Sequence, residues 1–123
     1  MSQEHQRILW IAPNRPKLCF IEALRDSGME VEFVPLINLA MIPGHTCIVF
    51  DHPFSEATDI AECSLCNPDV PIIVLEKSEN QSRHLRYLRS GAAVVLFDPA
   101  DFAVLRETIC TVSRFRPVSA LQE

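Results

Sequence analysis

The chain has 123 residues, 48% of them hydrophobic, with a mass of 13.9 kDa and a mean hydropathy of +0.13, which fits one compact domain and excludes a disordered chain. Eleven basic against sixteen acidic residues leave a net charge of −5 and a pI near 5.3, so a broad positive field for phosphate backbones is excluded and direct nucleic-acid binding is not expected. Apolar stretches such as Val70-Pro71-Ile72-Ile73-Val74-Leu75 are too short to span a membrane, the polar start has no secretory-signal character, and five cysteines without disulfide spacing suit a reducing, cytoplasmic setting.

The first apolar run, Ile8-Leu9-Trp10-Ile11, predicts a strand covered on both faces. A helix follows from near Pro16, which an opening turn tolerates; Phe20, Ile21 and Leu24 point inward and Ser27-Gly28 stops it. Met29-Glu30-Val31-Glu32-Phe33 alternates apolar and acidic residues, the pattern of an edge strand. The next segment, Pro35-Leu36-Ile37-Asn38-Leu39-Ala40-Met41-Ile42-Pro43, stands where a second helix is due, yet its apolar side chains would point in nearly every direction. Either it folds down as an irregular loop, or Leu36, Leu39 or Met41 stays exposed as a patch for a partner.

Thr46-Cys47-Ile48-Val49-Phe50 predicts a third strand, closed by Asp51. Residues 55–66 read as a helix with Ala57, Ile60, Ala61 and Ser64 inward, which leaves Cys63 and Cys66 outside with Glu56, Asp59 and Glu62. Ile72-Ile73-Val74-Leu75 is the fourth strand. The helix after it opens with a capping box of Ser78 and Gln81, ends at Ser90-Gly91, and places Leu85 and Leu88 inward with Arg83, Arg86 and Tyr87 outward. Ala93-Val94-Val95-Leu96-Phe97 is the fifth strand. A last helix over 101–115 carries Phe102, Leu105, Ile109 and Val112 at helical spacing, and residues 116–123 read as the start of a linker. This alternation predicts βα units around a parallel sheet, in one domain over 1–115.

Arg7-Ile8-Leu9-Trp10-Ile11, Asn67-Pro68-Asp69 with the fourth strand, and Ser90-Gly91-Ala92 through Asp98-Pro99 together resemble the receiver domains of bacterial response regulators. The resemblance implies a CheY-like, flavodoxin-like α/β fold: a doubly wound, five-stranded parallel sheet of order 2-1-3-4-5, with helices on both faces and the site at the carboxyl ends of the strands. It matches Asp51 to the phosphate-accepting aspartate. The two acidic residues that hold magnesium in that family match Ala12 and Pro13, the switching hydroxyl matches Glu76, the aromatic switch matches Val95, and the lysine matches Asp98. A degenerate receiver without cofactor is therefore implied, because Ala12 and Pro13 offer magnesium no side-chain oxygen. Asp51, Glu76 and Asp98 are expected to meet at one end of the sheet and repel a phosphoryl group, a solvated remnant held by Lys77 in preference to a repurposed metal or pH-sensing site.

Arg83, Arg86 and Tyr87 on one helix, and Val104, Thr108, Thr111 and Phe115 on the last, match the surface through which receivers dimerise. The resulting expectation is a non-enzymatic regulatory module in signal transduction. It would form a homodimer through the fourth helix, fifth strand and last helix, and serve an attached or partner effector, transcriptional in kind. Two alternatives stay open: a phosphorelay receiver still phosphorylated at Asp51, and a thiol-redox switch at Cys63 and Cys66. Against the second, acidic neighbours disfavour thiolates and a zinc site needs further ligands. His5, His45, His52 and His84 form no catalytic or metal spacing.

Overall fold

A computed structural model describes residues 6–12, 18–51, 58–77, 80–97 and 101–114. Five strands form one parallel sheet: β1 (Arg7–Ile11), β2 (Glu30–Val34), β3 (Cys47–Asp51), β4 (Ile72–Glu76) and β5 (Val94–Phe97), in the order β2-β1-β3-β4-β5. The near-continuous apolar runs of β1, β3 and β4 become the three inner strands, since only a strand covered on both faces gains from burying every side chain. The acidic alternation of β2 leaves Glu30 and Glu32 exposed at an edge, as expected.

The two faces of the sheet carry separate cores. Ile8, Trp10, Cys47, Val49, Ile73 and Leu75 point to one face, covered by α1 (Leu18–Asp26) through Ile21 and Leu24 and by α4 (Phe102–Arg114) through Leu105 and Ile109. Leu9, Ile11, Ile48, Phe50, Ile72 and Val74 point to the other, covered by α2 (Thr58–Cys66) through Ile60 and Cys63 and by α3 (Gln81–Ser90) through Tyr87. The side chains of Phe20 and the segment around Pro16 lie outside the described residues.

Between β2 and β3, where the chain was expected to form a helix or a loop, it makes a single 3-10 turn, Leu39–Met41, capped by the Asn38 side chain. Each alternative holds for part of the segment. Ile42 is fully buried and plugs the second core, while Leu36 stays 75% exposed.

Two further departures concern helix faces. On α2, Cys63 is buried beside Ile60, not outside with Asp59 and Glu62. On α3 the faces are inverted: Tyr87 is buried, whereas Leu85 and Leu88 are exposed. The α3 cap is also Asn80, whose Oδ1 accepts from the amides of Ser82 and Arg83; Ser78 lies outside the described residues. The helix ends at Gly91 as expected, with φ +123°, and a Cβ there would collide with Ser64 of α2.

Candidate functional site

The carboxyl ends of β1, β3 and β4 bring Ala12, Asp51 and Glu76 to one end of the sheet. Asp51 closes β3 and is only 3% exposed. Pleat alternation sends it to the same face as Val49, two residues back, and there the indole Nε1–H of Trp10 on β1 donates to its Oδ2 at 3.0 Å. Ala12, beyond β1, is buried and contributes a methyl group; its amide continues the ladder to the Val34 carbonyl at 3.1 Å.

Glu76 does not join Asp51. In register Asp51 pairs with Leu75, so Glu76 is one residue further and points to the opposite face, that of Val74. There Tyr87 donates its hydroxyl to Glu76 Oε1 at 2.8 Å, Arg83 donates to the same oxygen at 3.4 Å, and Arg83 also donates to the Tyr87 oxygen at 3.0 Å. The guanidinium stands 5.9 Å from the Tyr87 ring centre, within cation–π range. Burial, then the bond to Glu76, pushes the Tyr87 phenol above its ordinary value, and its neighbours Tyr87 and Glu76 raise the Arg83 guanidinium, so the triad persists with Tyr87 neutral and Arg83 charged.

The expected meeting of three carboxylates is therefore corrected for the pair that can be seen. Asp51 and Glu76 face opposite ways with different donors, and the cation beside Glu76 is Arg83, with Lys77 exposed. Asp98, Pro13 and His52 lie outside the described residues. Val95 is half-buried against the second core.

Among the described residues no three metal-ligating side chains gather. Near Asp51 they offer magnesium one carboxylate, already accepting an indole N–H, and a donor set of that kind does not fit a hard, octahedral cation. The thiols are no better disposed for chemistry. Burial raises Cys63 to about 12, with Asp59, Cys66 and Glu62 adding to the effect, and burial alone takes Cys47 to about 12, while Cys66 is exposed.

Of the residues expected on the α3 and α4 surface, Arg86, Val104 and Thr111 are exposed, and Thr108 is half-buried with its hydroxyl donating to the Val104 carbonyl. Tyr87 is corrected to a core position and Arg83 turns inward to it; Phe115 lies outside the described residues. In their place come Leu85, Leu88 and the β5 residue Phe97, which with Val104 are 43–49% exposed. A groove of about 420 Å³ along α4 is lined by Ala103, Val104, Glu107, Thr108 and Thr111.

Among solved structures, the chain superposes on a CheY-like response regulator receiver domain protein from Methanospirillum hungatei JF-1 with a TM-score of 0.78 and 19% identity, covering 89% of this chain and 94% of that one. The fold is that of a CheY-like receiver. Similar matches include the Vibrio cholerae chemotaxis protein CheY4 (TM-score 0.75, 17% identity, 89% of this chain and 99% of that one) and an orphan response regulator of H. pylori (0.75, 13%, 89% and 97%). No protein-family model and no curated protein matches the sequence. The likeness therefore resides in the topology, five parallel strands in the order β2-β1-β3-β4-β5 with helices on both faces, four of them among the described residues.

Proposed function

We infer that the chain is a receiver-fold regulatory module of signal transduction that works through protein contacts without the magnesium-dependent phosphate switch. The observation that carries this reading is the state of Asp51: 3% exposed, with Oδ2 engaged by Trp10, and with Ala12 where a metal-holding acid would stand. Phosphoryl transfer to a carboxylate needs access for the donor and a cation to neutralise the developing charge. Both are poorly provided for among the described residues. Glu76, in the place of the hydroxyl that would follow the phosphate, is already tied to α3 through Tyr87 and Arg83.

The contact surface in this reading is α3, β5 and α4. Four of the six large hydrophobic side chains exposed among the described residues, Leu85, Leu88, Phe97 and Val104, lie on these three elements, and Arg86 adds a cation of the kind that anchors interfaces. A homodimer through this face, serving an attached or partner effector in the cytoplasm, is the form the module takes. No helix among the described residues is long and apolar enough to cross a membrane. Exposing the protein to magnesium and beryllofluoride, a mimic of phosphorylated aspartate, tests the first claim by amide NMR. The reading expects no saturable shifts at Asp51, and shifts that spread from Asp51 to α4 would replace it with a phosphorelay receiver.

A further inference from the structure

The surface formed by α2 and α3 borders the α3–β5–α4 face, sharing α3 and Arg86 with it, and has a charge arrangement of its own. Both helices cover the second core, and Ser64 of α2 fills the space above Gly91 at the end of α3, so the two lie side by side. On α2, Asp59 and Glu62 are exposed one turn apart along the flank of the buried Ile60 and Cys63 stripe, with Leu65 opposite that stripe. On α3, Arg86 and Arg89 are exposed one turn apart on the side away from Tyr87. Leu65, beside the acidic pair, is 81% exposed, the highest value of any large hydrophobic residue described. None of the four charges is in an ion pair with a described residue.

The Ser64–Gly91 contact also sets the relative height of the two helices. Counting back two residues from that level reaches Glu62 on α2 and Arg89 on α3; counting back five reaches Asp59 and Arg86. At an equal rise of about 1.5 Å per residue, each acid is level with one arginine. A twofold axis parallel to the helices and lying in the plane of their outer surface leaves heights unchanged and exchanges left for right. It therefore lays the acidic stripe of α2 over the basic stripe of α3 in a second copy, twice.

We propose that the α2–α3 face is a docking surface for a second copy of this chain, in which Glu62 and Asp59 of each copy meet Arg89 and Arg86 of the other around paired Leu65 side chains. Two helices of nine and ten residues, about 10 Å apart, present roughly 300 Å² per copy, less than the ~800 Å² per partner of a stable complex. The association is accordingly weak, reversible and sensitive to salt.

Sedimentation equilibrium and NMR dilution of the full chain test it, in a Val104→Glu background that silences the α3–β5–α4 face. In 0.1 M salt self-association is expected, weakening at 1 M, where the screening length falls from about 10 to about 3 Å. Glu62→Arg or Arg89→Glu alone should raise the dissociation constant at least tenfold. Both changes in one chain should restore it, and so should an equimolar mixture of the two single variants, because each then meets its opposite charge twice. Absence of self-association at millimolar concentration overturns the proposal, as do single variants that associate unchanged. A mixture no tighter than its components does the same, and would assign the stripes to a different protein.

Discussion

Tyr87→Phe removes one oxygen and keeps the ring, so it isolates what the hydroxyl does. That hydroxyl donates to Glu76 at 2.8 Å and accepts from Arg83 at 3.0 Å, and Glu76 is buried at the end of an inner strand. Without it the carboxylate keeps only the longer, 3.4 Å contact to a half-exposed arginine among its bonds to α3. A hydrogen bond to a charged group contributes about 1.5–3 kcal/mol, and the phenylalanine loses no apolar contact, so the expected cost is about 2 kcal/mol. For a domain of this size that lowers the melting temperature by about 6–10 °C. Urea unfolding, followed by far-ultraviolet circular dichroism, should show the loss as a shifted midpoint with an unchanged slope. Glu76→Gln keeps an acceptor for the hydroxyl but removes the charge, so the double variant should lose less than the sum of the two by about 1 kcal/mol. A loss under about 0.5 kcal/mol, or two losses that add, refutes the triad as the tie between β4 and α3.

Three further outcomes follow from the same structure. Gly91→Ala forces a side chain into φ +123° and into Ser64, and should cost at least about 2 kcal/mol; a variant as stable as the parent would displace α2 from the place described. Thiol labelling at pH 8, resolved residue by residue by mass spectrometry, should modify Cys66 within minutes and leave Cys63 and Cys47 protected, since at a pKa of about 12 only about one thiol in ten thousand is ionised at that pH. Stability should be level up to pH 9 and fall from there toward 12. The folded state holds the Cys47, Cys63 and Tyr87 protons to higher pH than the unfolded chain does, so alkali favours unfolding; Cys47→Ala with Cys63→Ala should flatten the fall.

The inner strands β1, β3 and β4 were legible because burial on both faces demands continuous apolar runs, and the alternation of β2 marked it as an edge; β5, an equally continuous apolar run read as covered on both faces, is instead the other edge, half-buried with Phe97 exposed. The helix faces were less so. In Gln81–Ser90 the apolar residues are Leu85, Tyr87 and Leu88, and periodicity alone prefers the two leucines inward. The choice of Tyr87 depends on Glu76, whose carboxylate needs a donor and which belongs to another element, so no local pattern records it. Cys63 was misplaced because Ala61 and Ser64 shifted the apparent centre of the α2 apolar stripe away from it. The Trp10–Asp51 bond had a usable signal: an indole N–H one residue from the end of β1 and an aspartate at the end of β3 share a face once the strands are paired in register. That register, which also separates Asp51 from Glu76, follows from the packing of three strands and cannot be read from any one of them.

Trp10 is the only tryptophan in the chain and its N–H touches Asp51, so its fluorescence reports directly on the acceptor position. Titration with magnesium and beryllofluoride, with Asp51→Asn as the control, is the most direct test of a receiver fold working without the phosphate switch. The account predicts emission that stays the same in both proteins at every concentration. A saturable change in the parent that Asp51→Asn abolishes would contradict it and return Asp51 to service as a phosphate acceptor.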